Sequence, residues 1–321
     1  VNDNNQQSET SPEYVTILAR TFFAIQKQRI MATSRIGAQV RQGRLTEREA
    51  GLLIEHVDKQ LREVEAGIKK DMTAALKNIP IYKQWFKKVK GSGVIISGGM
   101  IGEITDISRF EHISNLWSWA GVGIHDGVAD KLTKGKKATW NPHMKVLCWK
   151  LGQSLVMTGG WFRDRYDEFK REEIRNNVPW TVPVDMKRMK GSKFVGHAGH
   201  SEYLDKIKDT NITDENIKKI IDECNRIGVP HVTVKRIDAH VDNRARRKAV
   251  KLFLALMTIK WRGIDGLPVE QPYSGQILGH AVITPAEMLA AEETRRITAS
   301  MTRKARVKPK EVWTAKPICE P

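Results

Sequence analysis

The sequence predicts a mainly α protein: an N-terminal helical hairpin or coiled coil, a helix-hairpin-helix domain, and a C-terminal basic, α-rich domain. Three observations carry that expectation. Apolar residues recur at three- and four-residue steps through most of positions 13–77. Strong helix-start signals stand at Thr46 and at Asn141-Pro142. A hydrophobic-x-Gly-x-Gly turn, Val89-Lys90-Gly91-Ser92-Gly93, reads as the connection between two helices. The content of 24 glycines and 12 prolines in 321 residues, with 40% hydrophobic residues, is that of a folded chain and excludes collagen-like and disordered classes.

Residues 1–12 read as a polar leader without the basic and apolar regions of a signal peptide. In 13–77, Val15, Leu18, Phe22, Ile25, Ala32 and Ile36 form a first seam that Arg29 interrupts, and Gly43 stops the helix. Thr46 with Glu49 forms a capping box, the hydroxyl taking an orphan amide while the carboxylate reaches back. Ile54, Val57, Leu61, Val64 and Ile68 then follow heptad spacing. Such a hairpin either packs on its own domain or offers a coiled-coil surface for self-association.

Residues 78–178 form the expected middle domain. Asn78-Ile79-Pro80 breaks the helix, and another runs from the glycine turn to about Glu103. Asp106 to Phe110 leads into a helix through Leu116 to Ala120, and a basic loop extends to Thr139. Asn141 caps a helix carrying Val146, Leu147, Trp149, Leu151 and Leu155, and Trp161 to Ile174 gives one more. Residues 179–290 read as a further unit, with helices from Thr213 to Gly228 and from about Asn243 to Trp261, and a strand in His231–Ile237. Residues 291–321 read as a basic, mobile tail.

Charge narrows the function classes. Lys plus Arg number 54 against 37 for Asp plus Glu, a net charge of +17 that points to a polyanionic partner. Three scattered cysteines, Cys148, Cys224 and Cys319, argue against a disulfide framework. No apolar run approaches the length of a membrane span, so no membrane partner is expected, and a cytoplasmic, nucleic-acid-associated protein is.

The turn Val89-Lys90-Gly91-Ser92-Gly93-Val94 has the form of a helix-hairpin-helix. Its glycines permit positive φ and close backbone approach, and the following helix N-terminus offers amides to a phosphate. Lys87, Lys88 and Lys90 add charge beside it. By itself a Gly-x-Gly turn is often only a turn.

Residues 89–145 resemble the C-terminal transposase domain of the bridge-RNA-guided insertion-sequence transposases. The matching pieces are Gly91-Ser92-Gly93, Gly102-Glu103-Ile104, Asp106-Ile107-Ser108-Arg109-Phe110, Trp119-Ala120-Gly121-Val122 and Asn141-Pro142-His143-Met144-Lys145, in the right order and spacing. A coiled coil precedes the domain in that family, and 13–77 is similar in kind, so the likeness extends over roughly residues 15–175. The resemblance implies nucleic-acid binding. It also implies an active site combining acidic residues of a preceding RNase H-like domain with a serine in the loop after Trp-Ala-Gly. Here only a dozen polar residues precede the hairpin, and Gly121–Thr139 contains no serine, only Thr133 and Thr139. The loop keeps Lys131, Lys134, Lys136 and Lys137. Binding without strand transfer, and no catalytic residue, is therefore expected.

Two further basic features stand apart from the resemblance. Arg244, Arg247, Lys248 and Lys251 share one helical face, opposite Val250, Phe253, Leu254, Met257 and Trp261. That face is either a phosphate track or a solvated surface. The tail places Arg303, Lys304, Arg306, Lys308 and Lys310 within eight residues, as an electrostatic arm or a solubilising end. His197, His200, Cys224, His231 and His240 do not have the paired spacings of a zinc site, so neither metal nor cofactor is expected. His125 and Asp126 form at most a weak acid–base candidate. Trp117, Trp119 and Trp149 fall within helical periodicity and are expected in the core rather than as base-stacking platforms. The expected partner is DNA, with structured RNA second, and self-association runs through 13–77. The alternatives are an active transposase or recombinase whose partner supplies the acidic domain, and an assembly protein that neutralises nucleic acid.

Overall fold

The computed structural model describes residues 11–125, 128–129, 137–176, 180–183, 231–234, 238–269 and 283–306, with the isolated positions 132, 135, 222 and 226. The fold is mainly helical. Helix α1 (Pro12–Arg41) and helix α2 (Glu47–Leu76) form the expected hairpin. Gly43 closes it at φ +67, where a side chain would be strained. The capping box is complete: the Thr46 amide donates to Glu49 at 2.9 Å, and the Glu49 amide donates to the Thr46 hydroxyl at 3.2 Å. Arg29, which interrupts the α1 seam, is the clamp of the pair. Its guanidinium reaches Glu65 at 2.6 Å and Asp58 at 3.3 Å on α2. In the heptad seam, Val57, Leu61 and Ile68 are half-buried, whereas Ile54 and Val64 are exposed.

The helix expected before the glycine turn is a single wide π-turn, Tyr82–Phe86. The wider winding lets Ile81, Tyr82, Trp85 and Phe86 all bury. Helix α3 (Val94–Ile104) follows, buried from Ser97 to Ile104. Glycines let neighbours close on it: Gly98 meets Met72 of α2, Gly99 meets Leu147, and Gly102 meets Thr16 of α1. A 3-10 turn at Ile107–Arg109 leads to helix α4 (Ile113–Trp119). Helix α5 (Pro142–Thr158) runs antiparallel to α3, since Gly99 faces Leu147 while Gly91 faces Leu155. Asn141 caps it, accepting the Met144 amide at 3.0 Å. Helix α6 (Trp161–Arg175) packs along helix α7 (Asp238–Ile264). Helix α8 (Pro285–Arg306) ends the described chain.

Two short antiparallel strand pairs complete the framework. Strand β1 (Ile124–His125) pairs with β2 (Val128–Ala129), and β3 (Trp180–Pro183) pairs with β4 (His231–Val234). The strand expected in 231–237 is present over 231–234, and 235–237 lie outside the described residues.

One apolar core joins regions that the sequence suggests are separate. Phe253 of α7 lies 5.6 Å from Trp85, 5.9 Å from Phe86 and 5.4 Å from Phe162 between ring centroids. Among the described residues this core crosses the expected boundary after residue 178, because the apolar face of α7 packs into it. The expected boundary at 290/291 is crossed as well, by a helix. It falls inside α8, so the tail read as mobile is helical through Arg306. The helix expected from Thr213 to Gly228 lies outside the described residues, apart from positions 222 and 226. Among the described residues, no helix is long and apolar enough to cross a membrane.

Candidate nucleic-acid interface

The glycine turn is built from its backbone outward. Gly91 takes φ +100, and a Cβ there would stand 2.8 Å from the Thr158 hydroxyl and 3.1 Å from the Leu155 Cα. The turn is thereby pressed onto the end of α5. Ser92 is buried, and its one hydroxyl proton is shared between the Phe86 carbonyl at 2.7 Å and the Val89 carbonyl at 2.8 Å. The Ser97 hydroxyl donates to the Ser92 carbonyl at 3.0 Å. Gly93 differs. Its backbone is ordinary extended, at φ −65 and ψ 159, and a Cβ added there would meet nothing within 4 Å. It starts α3 with no side-chain cap, so the first-turn amides keep their hydrogen-bonding capacity. Lys87, Lys88 and Lys90 are all exposed beside this end.

The other expected binding residues divide by what the fold does with their charge. Arg244 pairs with Glu173 of α6 at 2.5 Å, and Lys248 reaches both Glu172 and Glu173 at 2.9 Å. The row expected to face a phosphate track is at these two positions an interhelical ion-pair layer. Lys251 lies over the Trp117 ring, 4.0 Å from its centroid. Burial, with the Arg247 charge behind it, pushes the Lys251 pKa down. Lys137 is exposed, whereas Lys131, Lys134 and Lys136 lie outside the described residues. Arg303, Lys304 and Arg306 belong to the helical backbone of α8. His197, His200, Cys224 and Asp126 lie outside the described residues, as do the side chains of His125 and His231. Among the described residues, no group of three or more His, Cys, Asp and Glu side chains could hold a metal. Cys148 is buried, which pushes its thiol up to about 12 and leaves it an inert core residue.

The tryptophan expectation needs one correction. Trp117 and Trp119 are half-buried and pack against the core. Trp149 is 59% exposed, because it stands opposite the buried Leu147, Leu151 and Leu155 on α5. A helical projection of 142–158 contains that signal, which a list of apolar residues conceals.

Two polar centres escape sequence reading altogether. Glu103, at the end of α3, accepts from Arg20 of α1 at 2.9 and 3.1 Å and from the Asn141 side chain at 2.9 Å. Burial alone would raise this carboxyl, but the Arg20 and Asn141 hydrogen bonds, with the charges of Arg20 and His143, hold it below the ordinary glutamate range. The second centre joins α6 to α7, where Asp242 accepts from the Tyr166 hydroxyl, Lys170 and Arg246. In both, the partners that come from another element are far apart in sequence, whereas Arg246 lies four residues from Asp242 on the same helix, and no short motif announces either centre. No family model, curated protein or solved structure matches the chain.

Proposed function

We propose that this chain is a transposase-like nucleic-acid-binding protein that takes DNA, with structured RNA as the second candidate, at the hairpin of residues 87–93. The observation that carries the reading is the uncapped start of α3 at Gly93, open to solvent and bordered by Lys87, Lys88 and Lys90. Unpaired amides, the positive end of the helix and three cations suit a phosphate group. Such contacts position a backbone and read no bases. The loop 121–139 has no serine, so binding rather than strand transfer is assigned to these residues. Arg244 and Lys248 drop out of the expected track because Glu172 and Glu173 already compensate them. A second role, self-association through the hairpin, is favoured by the exposed Leu52, Leu53, Ile54 and Val64 on α2.

Fluorescence anisotropy tests the reading, with duplex, four-way junction, single-strand and structured RNA probes across a salt series. Replacing Gly93 by leucine should obstruct the amides, and Lys87, Lys88 and Lys90 changed to glutamate should remove the flanking charge. Both should weaken binding at unchanged thermal stability. Each lost phosphate contact to duplex should flatten the log–log salt slope by about 0.9. Binding that ignores salt, or that survives both sets of changes, removes the proposal.

A further inference from the structure

Helix α5 buries Met144, Leu147, Cys148, Leu151, Gly152 and Leu155 against α3 and α7. Its other side carries Val146, Trp149, Gln153 and Met157 at steps of three, four and four, a single ridge along the helix. Val146 is 50% exposed, Trp149 59% and Met157 82%. At 1.5 Å per residue the ridge is about 17 Å long.

Two lysines border it, each resting on an aromatic ring. Lys145 lies 3.8 Å from the Trp140 centroid, and Lys150 lies 4.3 Å from that of Phe23 and donates to the Gln26 side chain at 3.2 Å. These contacts hold the two ammonium groups on either side of the ridge. Burial pushes the Lys150 pKa down, and an anion beside it would restore what burial removes. The Met157 end adjoins the glycine hairpin, since Gly91 packs on Leu155 and Thr158.

We propose that this ridge is a stacking platform for unpaired bases, centred on Trp149, with Lys145 and Lys150 taking the adjoining phosphates. The proposal rests on the nucleic-acid reading and names its substrate, a single-stranded segment of DNA or RNA. A duplex hides the faces of its bases inside the stack, whereas an open strand presents them to an aromatic ring. Charge complementarity favours this occupant over a protein, because lysines are depleted at protein interfaces. Three apolar side chains also offer far less than the roughly 800 Å² per partner that a stable protein complex buries.

The experiment compares the full chain with Trp149→Ala and Trp149→Phe. Anisotropy is measured with labelled oligo-dT, oligo-U and a mixed-sequence duplex, and molecular mass by sedimentation. Trp149→Ala should weaken single-strand binding by roughly five- to hundredfold while duplex affinity holds. Trp149→Phe should restore most of the loss. A defect confined to oligo-dT or to oligo-U identifies the strand chemistry. Wild-type binding to single strands that Trp149→Ala leaves unchanged overturns the platform and leaves the hairpin reading standing. A wild-type chain that binds no nucleic acid removes both. A change in mass on Trp149→Ala reassigns the ridge to contact between copies and also overturns the proposal.

Discussion

Replacing Gly102 by alanine should destabilise the protein, although alanine is the better helix former. Gly102 lies in α3 where α1 crosses it, and a Cβ there would sit 2.5 Å from the Thr16 hydroxyl, 2.8 Å from its amide nitrogen and 2.9 Å from its Cα. Two of those atoms are backbone, so relief requires α1 to move rather than a side chain to turn. Overpacking of this kind costs about 1–3 kcal/mol, while the glycine-to-alanine change in a helix returns about 0.5–1 kcal/mol. The net is a loss of up to about 2.5 kcal/mol, or up to about 4 °C in Tm for a chain of this size. Gly67 supplies the control. It lies within α2 with no atom within 4 Å of its added Cβ, so Gly67→Ala should gain about 0.5–1 kcal/mol. Differential scanning calorimetry of the two variants should show shifts of opposite sign. If Gly102→Ala melts at or above the wild type, α1 is not seated on α3 as described.

Other substitutions separate fold from function. Gly91→Ala meets both the positive φ and the Leu155 backbone and should lose about 1–3 kcal/mol, whereas Gly93→Ala should stay within about 0.5 kcal/mol; urea melts decide it. Glu103→Gln should cost about 1–2 kcal/mol at neutral pH, kept modest because Arg20 is half exposed to solvent. Because the folded Glu103 carboxyl titrates below its ordinary 4.5, its contribution is complete above that value and disappears as pH falls through the folded pKa. The Tm gap between wild type and Glu103→Gln should therefore narrow in acid, and a constant gap would contradict the Arg20 and Asn141 contacts. Reversing Arg244 and Lys248 to glutamate should lower Tm by setting like charges beside Glu172 and Glu173. Unchanged Tm with weakened DNA binding would restore those residues to the phosphate track.

The features legible in the sequence are those whose partners lie within one turn. The Thr46–Glu49 box and the Asn141 cap each span three residues, so spacing alone specifies them. The glycine stop at Gly43 and the limits of α3 follow from equally local chemistry. Arg29 is different. It reads as a flaw in a seam until Glu65, 36 residues away, is known to face it. The basic row on α7 likewise looks free because its carboxylates come from α6, 71 residues earlier in the Arg244–Glu173 pair. The suggested break after residue 178 rests on a loop-like composition, which says nothing about where a later apolar helix face is spent. Phe253 spends it against Trp85 and Phe86. At the hairpin, the glycine pattern marks a special turn but does not divide the labour. Gly91 is required by backbone conformation, whereas Gly93 leaves a helix end clear.

The Glu292 carboxylate accepts the Trp161 amide at 2.5 Å, so α8 closes the N-terminus of α6. Arg295 adds an ion pair to Asp164 on the same helix. Beyond that mooring the helix continues with residues 296–300 all exposed, and its backbone stays helical to Arg306. Eleven residues from Arg296 to Arg306 span about 17 Å at the usual rise. The arm is thus a boom with one fixed foot, and its reach and bearing are set where Met288 enters the core and Glu292 and Arg295 meet α6. Loosening that foot would swing the far end through an arc while changing none of its charge. Substitutions at Met288, Glu292 and Arg295 together would therefore relocate the far end while leaving its cations in place along the chain, separating where they stand from how many there are.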